Sequence, residues 1–335
     1  MLYITTRDDR DAHTAYKALH WNTASDGGLY VPFRLPVFSR EETADLKNVS
    51  FGETVAKLLN LFFSAGLTGW DIDSCIGRTP VKIVPLNRKI FSAELWHNLE
   101  SRYAYIENRL FSKLAPDVPS APSWPRIAIH IAVLFGVYGC ALQQDVLAPE
   151  QSFDLSVDVG DFTAPMAALY AKKMGLPVGN VVLCTQDNSA LWDLINRAEM
   201  GTSILNPDRK LGAERLIHNI FGVDEVLRFH SACERHGVYT VSDEQLPVIG
   251  NGLFAAVVGE QRINTTINSI YRTNQYLTTP LGAICYAGLQ DYRAKAGESC
   301  PTVLFIYDAP STCQNTLHKA TGLGFEDIVR LQNGG

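Results

Sequence analysis

The chain has 335 residues, of which 46% are hydrophobic and 19% charged, so it can bury a large core. Its net charge of -6 comes from interspersed acidic and basic residues without a Lys/Arg-rich run, which argues against nucleic-acid binding. The charged N-terminus lacks the apolar core of a signal peptide, so we expect a cytoplasmic protein. Seven cysteines stand singly, with no CxxC pair and no histidine cluster, and predict neither a disulfide framework nor a metal site.

In chain order, we expect a helical opening at YITTR (3–7) and a helix over 52–66, where apolar residues follow helical spacing up to a glycine. Residues 80–95 are rich in β-branched and apolar side chains broken by Pro85, which predicts two short strands around a turn. The four prolines of residues 115–125 favour extended backbone and predict a linker.

After the linker, helices are predicted to alternate with strands. The longest apolar stretch, 127–142, is shorter than the roughly 20 apolar residues of a membrane crossing and is predicted to be a buried helix. The expected elements are helices at 126–142, 163–174, 190–198, 211–221, 223–236, 262–273 and 280–293, and strands at 153–159, 180–185 and 302–307. This alternation indicates an α/β fold with a parallel sheet flanked by helices.

Several motifs follow one another in an order that resembles threonine synthases. Residues 25–32 read SDGGLYVP, and residues 94–97 (ELWH) match the opening of "ELFHGPTLAFKDF". Residues 157–164 (VDVGDFTA) with MGLPV further on resemble "SGNFGDLTAG…KxLGLPV", and residues 214–216 (ERL) resemble the "ERLLF" helix. The helix after the linker resembles the family's "N-x-x-R" helix, and TQDNS resembles its "A-T-N-x-N-D" turn.

The resemblance implies a fold-type II scaffold that converts O-phosphohomoserine to threonine with pyridoxal phosphate. That chemistry needs a Schiff-base lysine, backbone amides for the cofactor phosphate and a cationic pocket for the substrate phosphate. We expect the parallel sheet to resemble the large domain of such enzymes, with the smaller domain mostly deleted. The predicted organisation is an N-terminal threonine synthase-like region (1–114), a Pro-rich linker (115–125) and an α/β core (126–335).

The chain departs from the family in the motifs whose residues carry out the chemistry. After residues 94–97 it has neither the glycine-proline turn nor the lysine of the motif, and Lys89 and Lys113 lie outside it. The linker stands in place of the family's "TSGDTG" block. The phosphate loop is interpreted as contracted to residues 157–161, where one glycine is missing and Asp158 adds like charge, so poor phosphate binding is predicted.

No residue is predicted to be catalytic, to bind a cofactor or to bind a metal. The candidates for a remnant pocket are His97, Gly160, Asp161, Thr163 and Asn188. For His97 the alternatives are a backbone hydrogen bond at a strand end and general acid/base work. Asp161 and Thr163 precede a helix, and the alternatives there are N-terminal capping and ligand binding.

These losses favour a pseudoenzyme that binds a protein partner, a second copy of itself or a small metabolite, without a cofactor. The alternatives are a pyridoxal phosphate-dependent threonine synthase-type lyase or related enzyme with a relocated site, and a truncated relic. Neither nucleic acid nor membrane is an expected partner. Trp96, Tyr103, Tyr105 and Phe111 suggest an interface where the missing domain would pack, or else belong to the core.

Overall fold

The protein is described by a computed structural model covering residues 1–77, 81–96, 102–186, 190–202, 205–297 and 300–333. The strands are Leu2–Thr5 (β1), His13–Thr14 (β2), Tyr30–Pro32 (β3), Lys82–Pro85 (β4), Ile90–Glu94 (β5), Phe153–Asp158 (β6), Val178–Thr185 (β7), Glu199–Gly201 (β8), Val238–Thr240 (β9), Leu253–Val257 (β10) and Thr302–Ile306 (β11).

Helices surround these strands along the whole described chain. In chain order they are Ala15–His20 (α1), Arg40–Ala44 (α2), Phe51–Phe63 (α3), Gly69–Ile76 (α4), Tyr103–Leu114 (α5), Ser123–Gln143 (α6), Thr163–Lys173 (α7), Ala190–Arg197 (α8), Pro207–Phe221 (α9), Val223–Arg235 (α10), Leu246–Gly250 (α11), Glu260–Asn274 (α12), Pro280–Ala296 (α13), Gln314–Thr321 (α14) and Phe325–Gln332 (α15). Short 3-10 turns at Asp45–Asn48 and Pro310–Cys313 complete the described elements.

The central sheet has the strand order β10-β7-β6-β11-β5-β4. Its neighbouring strands are parallel, except that β4 runs antiparallel to β5. Strands such as β11 are buried along their whole length, as expected for a sheet covered by helices on both faces. The predicted α/β class is confirmed. Because β5, β6, β7 and β11 are parallel, their carboxyl ends meet at one edge of the sheet.

The N-terminal segment corrects the sequence analysis, because YITTR begins with strand β1 and not with a helix. The β-branched side chains of Ile4 and Thr5 favour extended backbone. β1 pairs antiparallel with β2 and β3 in a separate sheet. Tyr3 is fully buried, and its hydroxyl donates to the carbonyl of Phe62 at 3.0 Å, which ties this sheet to α3.

Helix α6 is the central core helix. By length and composition it could cross a membrane, but 94% of its most apolar window is buried inside the protein, as in a soluble protein's core. Gly136 lets α3 approach closely, since a Cβ there would lie 2.7 Å from the ring of Phe51. Any larger residue would push α3 away from α6.

The other predicted elements can be compared with the described ones. Helix 52–66 is α3, whose start carries a capping box between Ser50 and Glu53. The strand pair in 80–95 is β4 and β5, and these join the same sheet as β6 and β11. Helix α5, strand β10 and the antiparallel pair β8–β9 were not predicted. Within α5, Tyr103 and Phe111 are buried and Tyr105 is exposed, so the core interpretation holds for the first two.

Candidate ligand site

The sequence-predicted candidates follow strands that end at one edge of the sheet. Gly160 and Asp161 lie in the connection from β6 to α7, and Thr163 is the first residue of α7. His97 follows β5 and Asn188 follows β7 in the chain, but both lie outside the described residues. Crevices outside the carboxyl ends of parallel strands are the usual place for ligands in open α/β sheets.

Aromatic side chains fill the part of this edge between β5, β11 and β6. Tyr103, His130 and Tyr307 contact one another, with ring centroids 5.0 Å apart for Tyr103–His130, 5.2 Å for Tyr103–Tyr307 and 5.6 Å for His130–Tyr307. The space left beside His130 and Tyr307 has a volume of about 10 Å³, room for a single water. Burial raises the pKa of both tyrosines, which keeps their hydroxyls neutral.

An ion-pair network lies next to these rings. Arg126 donates from Nε to Glu107 at 2.9 Å and from Nη1 to Asp161 at 2.5 Å, and His130 Nε2 donates to the second Glu107 oxygen at 2.9 Å. Burial raises the pKa of Glu107, but the hydrogen bond from His130 and the charges of His130 and Arg126 outweigh it and lower the pKa overall. For Asp161, burial is likewise outweighed, chiefly by the charge of Arg126 and by Thr163, and its pKa is lowered. Both carboxylates are therefore held ionised.

The loop between β6 and α7 has an unusual backbone. Gly160 has φ of 45° and Phe162 has φ of 70°, a left-handed conformation that bulky residues rarely adopt. The Phe162 ring packs on Gly212 of α9, where a Cβ would lie 2.6 Å from it. Asp161 Oδ1 accepts a hydrogen bond from the amide of Thr163 at 3.0 Å. Asp161 stands one residue before the N-cap Phe162, and its side chain satisfies the first N–H of α7. The predicted capping role thus applies to Asp161, while Thr163 is the first helical residue.

A cavity of about 480 Å³ opens on the other side of this loop. It lies where the N-terminal turns of α6, α7 and α9 converge with α1 and the proline-rich segment. Its lining residues are His20, Asn22, Leu29, Val118, Pro119, Ser120, Ala121, Pro122, Ser123, Arg126, Ile127, Asp161, Phe162, Thr163, Met166, Asp208, Leu211, Gly212 and Arg215. Helix N-termini carry partial positive charge, so their convergence favours an anion in the cavity.

Arg215 is the most buried charged group of the cavity, with 1% of its surface exposed. Its Nη1 donates to the carbonyl of Tyr30 at 2.6 Å and its Nη2 to the hydroxyl of Ser123 at 2.8 Å. Among the residues that the structure describes, no carboxylate forms an ion pair with it. Burial lowers the pKa of Arg215, but a guanidinium stays protonated in proteins. A buried cation without a carboxylate partner beside a cavity is suited to an anionic ligand.

Sequence reasoning missed the charged residues of this region. Arg126 and Arg215 stand inside quoted motifs, the "N-x-x-R" helix and ERL, but were not singled out as site residues. Glu107 and His130 carry no local signal at all, because only packing of α5 against α6 brings them together. Metal binding is not indicated: within the described ranges, no group of three or more His, Cys, Asp or Glu is placed to hold an ion.

Comparisons with known proteins agree with this architecture. The family model "Threonine synthase N terminus" matches residues 2–79. A threonine synthase from Pseudomonas aeruginosa is 26% identical over 212 residues, which cover 60% of this chain and 44% of that relative. Threonine synthase-like 1 from Pongo abelii is 21% identical over 194 residues, covering 54% of this chain and 26% of that relative. The chain thus spans less than half the length of the curated relatives it matches.

Solved structures extend the similarity to the whole fold. A pyridoxal phosphate-bound threonine synthase from Brucella melitensis superimposes with a TM-score of 0.81 at 19% identity, over 96% of this chain and 92% of that chain. A threonine synthase from yeast gives a TM-score of 0.80 at 14% identity, over 99% of this chain and 94% of that chain. The fold is therefore that of the fold-type II pyridoxal phosphate enzymes.

Within that class, the N-terminal family match and the sequence relatives show that the chain is similar to threonine synthases and threonine synthase-like proteins. The predicted recognition and fold class are confirmed. The domain bounds at 115–125 and the loss of the smaller domain stay predictions.

The described residues do not fit the cofactor that this fold implies. Counted without a gap from Glu94, the lysine of "ELFHGPTLAFKDF" falls on Ala104, an exposed residue in the first turn of α5. The neighbouring residue Tyr103 belongs to the aromatic cluster that fills the sheet edge.

The loop after β6 departs from the family by substitution, which corrects the predicted contraction. Counted from Ser156, the chain keeps the full length of "SGNFGDLTAG" and replaces the motif's first glycine and its asparagine with Val157 and Asp158. The amide of Thr163 lies at the start of α7, in a position from which it could donate to a phosphate. Here it donates to Asp161 instead.

Proposed function

We propose that this threonine synthase-like protein is a pseudoenzyme that forms no Schiff base with pyridoxal phosphate and binds a small anionic metabolite. The observation that carries the proposal is the composition of the 480 Å³ cavity. Two guanidinium groups and the N-terminal turns of three helices face it, and none of its described lining residues is a lysine.

Anion binding is supported by the side chains of the cavity rather than by free helix ends. The first N–H of α6 donates to Asn22 at 2.9 Å and that of α7 to Asp161 at 3.0 Å. The hydroxyl of Ser123 lies beside Arg215, where it can contact a ligand oxygen. Asp161 and Asp208 add negative charge to the lining and balance the charges of Arg126 and Arg215, and Arg126 pairs with Asp161. The case for an anion therefore rests on the buried guanidinium of Arg215, which has no carboxylate ion-pair partner among the described residues.

The positions and hydrogen bonds of the two lysines of α7 support the absence of Schiff-base chemistry. Lys172 and Lys173 lie in the last turn of this 11-residue helix, about 15 Å from its first turn and the cavity. Lys172 donates to the carbonyl of Gly179, and Lys173 Nζ donates to the side chain of Asn219 at 2.8 Å. Both ammonium groups are thus engaged away from the loop after β6.

Cofactor chemistry is tested by adding pyridoxal phosphate, recording the absorbance spectrum, reducing with borohydride and mapping the modified peptides. We expect no internal aldimine band and only diffuse labelling of surface lysines. The Pseudomonas aeruginosa threonine synthase is the positive control. A stoichiometric adduct on one lysine would overturn this half of the proposal.

Anion binding is tested by calorimetric titration with inorganic phosphate at low ionic strength. We expect saturable binding that weakens about tenfold or more in Arg126→Met, because a charge-assisted hydrogen bond contributes about 1.5–3 kcal/mol. Ser123→Ala serves as a second variant that preserves the fold and weakens binding less. Arg228→Met is the matched control, since Arg228 pairs with Glu225 outside the cavity. Equal phosphate affinity in all variants, or no saturable binding, would contradict the proposal.

The second candidate is a pyridoxal phosphate-dependent threonine synthase-type lyase with a relocated site. It is favoured by the superposition on the cofactor-bound Brucella melitensis protein over 96% of this chain. Incubation with O-phosphohomoserine and cofactor, followed by detection of free phosphate, separates the two. Release of phosphate above a no-protein control would favour the enzyme.

The binding proposal extends to a protein partner or a second copy of the chain, which light scattering after size-exclusion chromatography would detect.

A cytoplasmic location is part of the proposal, because all seven cysteines are free, as is usual in a reducing compartment. Imaging of a fluorescent fusion tests the location.

A further inference from the structure

Arg215 places a positive charge beside the cavity with which no described carboxylate pairs. It donates to two neutral acceptors, the carbonyl of Tyr30 at 2.6 Å and the hydroxyl of Ser123 at 2.8 Å. These two bonds use only part of the fork of N–H donors that a guanidinium carries. The cavity therefore calls for one negative charge from its occupant.

The other charged residues of the lining do not attract further negative charge. Arg126 forms ion pairs with both Asp161 and Glu107, so its own charge is balanced. Asp208 is exposed in the first turn of α9, about two turns before Arg215, and both residues line the cavity. A phosphate monoester carries a charge of about −1.5 to −2 at neutral pH, so Asp161 and Asp208 would repel it. The lining favours a ligand with a single negative charge.

Apolar side chains form much of the remaining wall. The proline-rich segment contributes Val118, Pro119, Ala121 and Pro122, and α9 contributes Leu211. None of these residues is buried, so an occupant can reach them. An inorganic anion would leave these side chains in contact with water, whereas a hydrocarbon group would cover them. The wall therefore favours an occupant that has an apolar part.

We infer that the occupant of this cavity is a small monocarboxylate with a compact hydrocarbon body. Its carboxylate contacts Arg215 and Ser123, and its hydrocarbon lies against the proline-rich segment and Leu211. The inference rests on the proposed anion binding and names the class of ligand. A planar carboxylate matches the planar fork of a guanidinium. The volume of about 480 Å³ and the mixture of apolar walls with a few polar groups are typical of small-molecule sites.

The experiment compares five probes by calorimetric titration: isovalerate, its neutral counterpart isovaleramide, valine, acetate and inorganic phosphate. We expect isovalerate to bind about tenfold or more tightly than each of the other four, which corresponds to about 1.4 kcal/mol or more. Isovalerate bound no more tightly than acetate or phosphate would overturn this inference and leave the anion site intact. Valine bound more tightly than isovalerate would also overturn it, since its ammonium group would then be recognised. Equal binding of isovaleramide and isovalerate, or binding of none of the probes, would overturn the anion site as well.

Variants test the hydrocarbon contact separately from the charge. In Leu211→Asn, which keeps a side chain of similar size, isovalerate affinity should fall about fivefold while acetate affinity is unchanged. Val118→Thr is a second variant of nearly the same shape and should act in the same direction. Leu227→Asn is the matched control, because Leu227 is 50% exposed on α10 and does not line the cavity. Unchanged isovalerate affinity in both cavity variants, or an equal loss in the control, would refute the contact.

Discussion

Replacing the buried carboxylate Glu214 by glutamine is expected to destabilise the protein in a pH-dependent way. The side chain of Glu214 is fully buried in α9 and accepts hydrogen bonds from Thr6, from Arg7 Nη2 at 3.1 Å and from His230 Nε2 at 2.7 Å. These contacts tie the N-terminal segment to α9 and α10. Glu214→Gln keeps the shape of the side chain but removes the charge that Arg7 and His230 face.

The magnitude follows from the pKa of Glu214. Burial raises this pKa, but hydrogen bonds from His230, Arg7 and Thr6 lower it from 4.5 to about 2 overall. Because the folded pKa is below the unfolded one, the contribution to the free energy of unfolding is complete well above pH 4.5 and is lost as pH falls toward 2. At 1.36 kcal/mol per pKa unit, the full contribution is roughly 3 kcal/mol.

The assay is denaturant unfolding of both proteins from about pH 7 to about pH 3. At neutral pH, Glu214→Gln should lower the free energy of unfolding by about 3 kcal/mol. That difference should shrink by roughly 2 kcal/mol between about pH 5 and about pH 3. The control Asp327→Asn breaks the exposed pair with Arg330 and should change stability by less than about 1 kcal/mol. A Glu214→Gln difference that is constant with pH would refute the reasoning.

Three further predictions follow from single contacts. Asp161→Asn should tighten binding of inorganic phosphate severalfold, because it removes one of the two carboxylates that pair with Arg126; calorimetry showing weaker binding would contradict this. Gly288→Ala should lower the free energy of unfolding by about 1–3 kcal/mol in denaturant unfolding, since the new Cβ would lie 2.4 Å from Cys184 Sγ. Leu58→Ala should cost about 2–5 kcal/mol by the same measurement, because Leu58 is fully buried, and an unchanged midpoint would show that the core of α3 tolerates a cavity.

The local sequence determined much of the secondary structure. Apolar spacing that ends at a glycine predicted α3, and the sequence TVLFIY in residues 302–307 predicted the buried strand β11. These signals depend on neighbouring residues, so they are readable without the fold. The loss of the motif lysine was also readable, since covalent chemistry depends on the identity of one side chain. The helix predicted at YITTR was wrong because a short β-branched segment at the chain's start needs its partners β2 and β3 to show its pairing.

The candidate site was decided by tertiary structure. The sheet order places β11 between β5 and β6, and only this long-range pairing brings Tyr307 against Tyr103 and His130. The cavity likewise forms where α1, α6, α7 and α9, distant in the chain, converge on Arg215. Helical periodicity shows which face of each helix is apolar, but not which other helix that face meets. Burial of complementary surfaces sets those contacts, and with them the charge and shape of the site.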